Sequence, residues 1–201
     1  MNRGRLIAFE GIDGSGKSTQ VQLLAHALRE AGRDVVETRE PTAGAFGRRI
    51  REMARSGERV APAEELHWFV EDRREHVAQV VAPALAAGRV VLCDRYTLST
   101  VAYQGARGLD PERLLAESEA EFPLPDVALL LELEPAVGLA RTLARGGHAE
   151  PVFEEQRFLE RVAAIFHGLA RPYIVRLDAD HPAAAVERAV RYAVRGRLGF
   201  P

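Results

Sequence analysis

The chain has 201 residues, 47% of them hydrophobic and 28% charged, and a formal net charge of −2. That is the make-up of an ordinary globular domain with enough chain for a full core, and its near-neutral balance gives no general footprint for nucleic acid or an anionic membrane. A single cysteine, Cys93, excludes an internal disulfide framework and no apolar run approaches a membrane span, so one cytoplasmic domain spanning residues 1–201 is expected.

Taken in order, apolar runs alternate with helical patterns, the signature of a parallel sheet flanked by helices. Leu6-Ile7-Ala8-Phe9 is the first strand, and 19–31 is a helix stopped by Gly32. A second strand over 34–38 leaves the sheet at Pro41, and 47–56 is a short basic helix. A long helical pattern covers 62–87, with Pro62 in its first turn and Pro83 expected to kink or interrupt it. The third strand, 89–93, runs into Asp94-Arg95-Tyr96 and a helical stretch to Gln104. Asp110-Pro111-Glu112 starts a helix to Glu121, and 127–133 is the most apolar strand. Pro135 opens a helix to Arg145. The glycine-rich break at 146–151 marks a flap, placed over about 141–155. A helix over 153–171, a fifth strand over 173–177 and a helix from His181-Pro182 to about Arg195 close the chain.

Between the first strand and helix lies Gly11-Ile12-Asp13-Gly14-Ser15-Gly16-Lys17-Ser18-Thr19, which fits the G-x-x-x-x-G-K-[ST] template in the context a P-loop requires. The glycines let successive N–H groups converge on an anion, and the helix start adds its partial positive charge. Lys17 is a point charge suited to the β- and γ-phosphates of a nucleoside triphosphate, and the Ser18 hydroxyl suits Mg²⁺. Among the 27 basic side chains Lys17 is the only lysine. That leaves no second lysine for a guanine-reading Asn-Lys-x-Asp motif, which argues against a GTPase of the common kind.

Arg39 and Arg95 stand just beyond strand ends, where the ligand crevice of an open α/β sheet lies, and could clamp a second phosphate. Asp94 could hold Mg²⁺ directly or through water, or simply cap the following turn. Phe69 and Arg73 share one helix face, so an aromatic ring and a guanidinium could read a base, although Phe69 as core and Arg73 as a solvated charge fit the pattern too. Ser99, Thr100, Tyr103 and Gln104 gather groups able to bond base and sugar, or form a polar helix-to-turn segment.

The chain resembles the thymidylate kinases over nearly its full length. The resemblance is carried by Phe9-Glu10-Gly11 through Thr19, Thr38-Arg39-Glu40-Pro41, Phe69 with Asp72-Arg73, Asp94-Arg95-Tyr96, Ala102-Tyr103-Gln104-Gly105 and Arg107-Gly108-Leu109-Asp110. It implies a three-layer P-loop kinase fold with a five-stranded parallel sheet, transfer of the ATP γ-phosphate to dTMP, Mg²⁺ held by Ser18 and Asp94, and a homodimer. By the same resemblance Asp13 contacts the acceptor sugar, Arg39 and Arg95 grip the monophosphate, and Phe69 stacks on thymine. Arg73 reaches the exocyclic oxygen, Thr100 and Gln104 lie at the base, and Tyr103 lies at the deoxyribose. One branch of the family has arginine where Gly14 stands here. The other places catalytic arginines in the flap, which points to Arg145 and then Arg141, with Val152 where a further flap arginine is usual. A kinase for dUMP or a deoxynucleoside, and a nucleotide-binding regulator, are the alternatives.

Overall fold

In a computed structural model, which describes residues 3–144 and 152–200, five parallel strands run in the order β2-β3-β1-β4-β5. The strands are β1 (Arg5–Glu10), β2 (Val35–Arg39), β3 (Val90–Asp94), β4 (Val127–Glu132) and β5 (Ile174–Asp178). β1, β3 and β4 are buried almost throughout, as their unbroken apolar sequences require for strands covered on both faces. The edge strands β2 and β5 mix buried or half-buried with exposed positions.

Nine α-helices among the described residues flank this sheet: α1 (Lys17–Glu30), α2 (Ala45–Ser56), α3 (Pro62–His76), α4 (Ala82–Ala86), α5 (Thr97–Ala106), α6 (Pro111–Glu121), α7 (Pro135–Ala144), α8 (Val152–Gly168) and α9 (Ala183–Leu198). None of them is long and apolar enough to cross a membrane. One hydrophobic cluster runs through the sheet and both helical layers, while Ile50, Met53 and Trp68 form a satellite between α2 and α3.

Pro83 does not interrupt the helical run. A π-helical turn over Val77–Val81 joins α3 to α4, and the Ala82 N–H bonds to the Val77 carbonyl. Proline has no N–H and its ring crowds the carbonyl four residues back, and one wide turn just before it accommodates both within an unbroken helical run. The helix expected over 153–171 stops earlier, at Gly168, and the Leu169 N–H closes it on the carbonyls of Ile165 and Phe166. At α6 the Asp110 carboxylate accepts from the N–H groups of Glu112 and Arg113 at 3.0 and 3.3 Å, the cap its sequence announces.

The sheet order positions the site. From β1 the chain crosses to β2 at one edge, returns through β3 beside β1, and then passes to β4 on the other side. The carboxyl end of β1 is therefore the switch point at which a crevice opens. The P-loop leaves β1 there, with the ends of β3 and β4 on either side. The flap anticipated over 141–155 falls partly on 145–151, outside the described residues.

Candidate active site

The P-loop turns through Gly11, Gly14 and Gly16, all at positive φ. Gly14 has a second constraint. A Cβ there would lie 2.2 Å from the carbonyl oxygen of Gly138 in α7, and one on Gly138 would lie 2.6 Å from the Asp13 carbonyl. Backbone meets backbone in both directions, so neither neighbour can yield. The loop position that holds arginine in one branch of the resembling family is sterically closed here by α7. The Gly138→Ala enzyme is expected to lose about 2 kcal/mol, a Tm drop of roughly 4–8 °C, together with turnover. A thermal melt and a rate assay check this, and a wild-type Tm would contradict the contact.

Lys17, the first residue of α1, is buried with its Nζ donating to the carbonyls of Gly11 (3.0 Å) and Ile12 (2.8 Å). Burial, then the nearby Arg95 guanidinium, pushes its pKa down to about 7 against Asp13, Asp94 and Glu10. The Ser18 hydroxyl donates to Asp94 Oδ2 across the β1/β3 crevice. A hydroxyl and a carboxylate converging at a P-loop form the hard oxygen donor set that suits Mg²⁺.

A second cluster of charged and polar groups faces this loop. Arg95 follows β3 at φ 69, the only non-glycine positive φ among the described residues. Its guanidinium bonds Asp13 Oδ1 at 2.5 Å and reaches the Gly11 carbonyl, the Ser99 hydroxyl and the Tyr103 hydroxyl, each at 3.3 Å. The Tyr103 hydroxyl in turn donates to Asp13 Oδ2 at 3.0 Å. Partial desolvation opposes the Asp13 charge, although the side chain is exposed, and Arg95 and Lys17 hold its pKa down to about 2. At neutral pH Asp13 is thus an acceptor only, suited to a sugar hydroxyl.

Arg73 is not a solvated charge. It is 1% exposed and donates to Glu40 Oε2 through Nε (2.9 Å) and Nη2 (2.6 Å), and through Nη2 to Thr100 Oγ1 at 2.8 Å. His76 closes the network, bonding Glu40 at 2.8 Å and Thr38 at 2.6 Å. Two buried polar atoms beside it have no partner: Arg73 Nη1, a donor, and Gln104 Oε1, an acceptor. The Gln104 amide is oriented by its Nε2 donating to Glu65 at 3.0 Å. Thr100 and Gln104 are four apart and share a face of α5. Phe69 is half-buried and packs against the satellite cluster, so it both fills core and keeps an accessible side.

The loop after β2 is pinned by Asp72, which accepts from the Thr42 N–H at 2.8 Å and the Thr42 hydroxyl at 2.6 Å. Arg39 ends β2, exposed, beside Asp94 in the strand register. Arg141 is tethered to the β5–α9 connection through the Ala179 carbonyl and Asp180. Arg145 lies outside the described residues. Glu40, His76 and Cys93 bring ligand-type atoms within 4.8 Å of one another. All three are already spent on hydrogen bonds, with Cys93 donating to the Arg95 carbonyl, and Arg73 supplies positive charge beside them. That cluster is a positioning network, not a metal pocket.

Glu40, His76, Gly138 and Glu10 received no role from sequence reasoning. Glu10 is fully buried at the end of β1, and burial pushes its pKa up to about 7 against the Ser99 hydrogen bond and the charges of Arg95 and Arg73. A carboxylate closing a run of four apolar residues was the available signal for it. For Gly138 the signal was a glycine inside a helical pattern.

Comparison with known proteins agrees with this geometry. The family profile described as Thymidylate kinase matches residues 9–190. A protein named Thymidylate kinase from Desulfotalea psychrophila is 44% identical over 197 residues, covering 98% of this chain and 97% of its own length. Proteins of the same name from Akkermansia muciniphila and Xanthomonas campestris are 44% and 47% identical. They cover 98% and 97% of this chain and 94% and 85% of their own. With a P-loop at the end of β1 and full-length similarity in agreement, the chain belongs to the thymidylate kinase family.

Proposed function

We propose that the chain transfers the γ-phosphoryl group of ATP to dTMP, giving dTDP and ADP. The observation that carries the choice of base is the pair of unpartnered buried atoms, Arg73 Nη1 and Gln104 Oε1. A donor on Arg73, which bonds Thr100, and an acceptor on Gln104, one turn further along α5, match thymine, which offers O4 as acceptor and N3–H as donor. Cytosine reverses both, presenting an amino group and a bare N3, and would leave four polar groups unpaired. Phe69 supplies the apolar face for the ring, with Thr100 beside it. Asp13, ionised, accepts from the deoxyribose hydroxyl, and Tyr103 packs against that sugar.

Phosphoryl transfer needs alignment and charge neutralisation more than proton chemistry. A phosphate oxygen of dTMP is already a nucleophile near neutral pH. It attacks the γ-phosphorus, the bond to the bridging oxygen breaks, and ADP leaves with that electron pair. The amides of residues 11–19 and Lys17 hold the donor, Arg39 and Arg95 hold the acceptor phosphate, and Arg141 borders the ATP side. Ser18 and Asp94 would hold Mg²⁺, which when bound neutralises charge on the β- and γ-oxygens. Arg145, in the flap, is the cation proposed to cover the transferring group. Resemblance supports a homodimer, which sedimentation would test.

The test is ADP release, measured enzymatically with Mg²⁺, ATP and a series of acceptors. The expected outcome is rapid turnover of dTMP, some rate with dUMP, and a kcat/KM for dCMP about 10⁴-fold lower, as for sites whose buried polar groups would be left unmatched. No dTMP rate above background would refute the reading, and equal rates for dCMP would refute the role of Arg73 and Gln104.

A further inference from the structure

Helix α5 carries the acceptor-side groups Ser99, Thr100, Tyr103 and Gln104, and Arg95 immediately precedes it. Its first turn has no cap of its own: Tyr96, at the cap position, makes no side-chain cap hydrogen bond. Two N–H groups at that helix start are satisfied from another element instead. Glu10 Oε1 accepts from the N–H groups of Tyr96 (3.0 Å) and Leu98 (3.1 Å), and Glu10 Oε2 accepts from the Ser99 hydroxyl at 2.5 Å. Glu10 belongs to β1 and is bonded directly to Gly11 of the P-loop. One carboxylate therefore caps a helix 86 residues further along the chain and, when ionised, meets its dipole with negative charge.

The same contacts reach Arg95. Ser99, whose hydroxyl donates to Glu10, accepts from Arg95 Nη1 at 3.3 Å, and the Arg95 N–H bonds the Phe9 carbonyl at 2.9 Å. Arg95 holds a left-handed backbone, which side chains other than glycine rarely adopt and which persists only where the surroundings over-determine it. The fixed end of α5 on one side and β1 on the other are those surroundings.

We propose that Glu10 is a positioning residue that sets the acceptor clamp, fixing the start of α5 against the root of the P-loop and holding Arg95 where it can grip the acceptor phosphate. The inference rests on the reading of Arg95 and α5 as the acceptor side. It predicts a selective effect: loss of Glu10 weakens acceptor binding more than donor binding, because Lys17 makes all its hydrogen bonds within the P-loop while Arg95 makes one to Ser99 of α5.

The test uses the full chain and titration calorimetry with dTMP and with ADP separately. Glu10→Gln is near-isosteric and keeps an oxygen for the two N–H groups. It removes the charge and puts an NH₂ where the Ser99 hydroxyl must donate. Its Kd for dTMP is expected to rise about 10-fold, as for loss of a charge-assisted hydrogen bond, with the Kd for ADP within about two-fold of wild type. Glu10→Ala should rise further, and should it fail to fold, Ser99→Ala gives an independent intermediate value. An unchanged dTMP affinity in Glu10→Gln, or equal losses for both ligands, overturns the proposal. Arg95→Ala separates the two readings. If it binds dTMP like wild type, the acceptor assignment fails and Glu10's role goes with it. If it loses dTMP while Glu10→Gln does not, the positioning role alone fails.

Discussion

Replacing Lys17 by methionine is expected to lower kcat by about 10³-fold, roughly 4 kcal/mol of transition-state stabilisation. The side chain is buried, its ammonium held at the mouth of the loop by two main-chain carbonyls, and methionine matches its length without its charge. Lys17→Arg is expected to fail as well. A planar fork cannot repeat the fan of bonds that a compact ammonium makes to Gly11 and Ile12, and this is the one basic position where the chain departs from arginine.

A pH signature accompanies the loss. Burial and Arg95 lower the Lys17 pKa to about 7 in the free enzyme, so much of it is neutral at pH 8. A triphosphate favours the ammonium, so nucleotide binding at pH 8 should take up a proton, and ATP affinity should fall as pH rises through 7. Calorimetry in buffers of different ionisation enthalpy measures the uptake, and zero uptake in wild type, or equal uptake in Lys17→Met, would contradict it. The sign for stability is opposite. Between about 7 and the ordinary lysine value of 10.5 the unfolded chain binds more protons, so Lys17 makes stability rise with pH across that window. The methionine variant should lack that rise.

What the sequence made legible divides by distance along the chain. The strand–loop–helix at residues 6–31 is a local object, and its turn glycines, lysine and hydroxyl all lie within one template, so sequence reasoning found them together. The buried strands announced themselves as apolar runs for the same reason. Arg73 was ambiguous from sequence because its burial depends on Glu40, 33 residues away, and on Thr100, 27 residues away. A guanidinium on a helix reads as solvated until the opposing carboxylate is in place. Glu10 carried only a weak signal, because two of its three partners are main-chain N–H groups, which say nothing in a sequence. Gly138 carried only a weak one too, because the P-loop backbone it meets lies in another element. Pro83 is a middle case: the missing N–H was legible, but a chain can answer it with a break or with a widened turn, and here the helical run continues through a widened turn.

Arg73→Ala is expected to destabilise the fold by about 3–5 kcal/mol, because it strands the Glu40 carboxylate in the core. Glu40 is 4% exposed and Arg73 is its only arginine or lysine partner among the described residues. The ordinary consequence would be a Tm drop of roughly 10 °C, measured by calorimetry. That loss alone does not distinguish a structural ion pair from a base reader, and the double variant does. In Arg73→Met with Glu40→Gln the trapped charge is gone, and glutamine keeps an oxygen for His76, so most of the stability should return. Turnover of dTMP should not, because the buried Nη1 donor is absent in both variants. If the double variant is as unstable as Arg73→Ala, the stranded charge is not the cause. If it turns over dTMP at the wild-type rate, Arg73 does not read the base. Recovered stability with lost turnover would separate the two duties of one guanidinium: three bonds that tie Glu40 and Thr100 together, and one free NH₂ group left for the substrate.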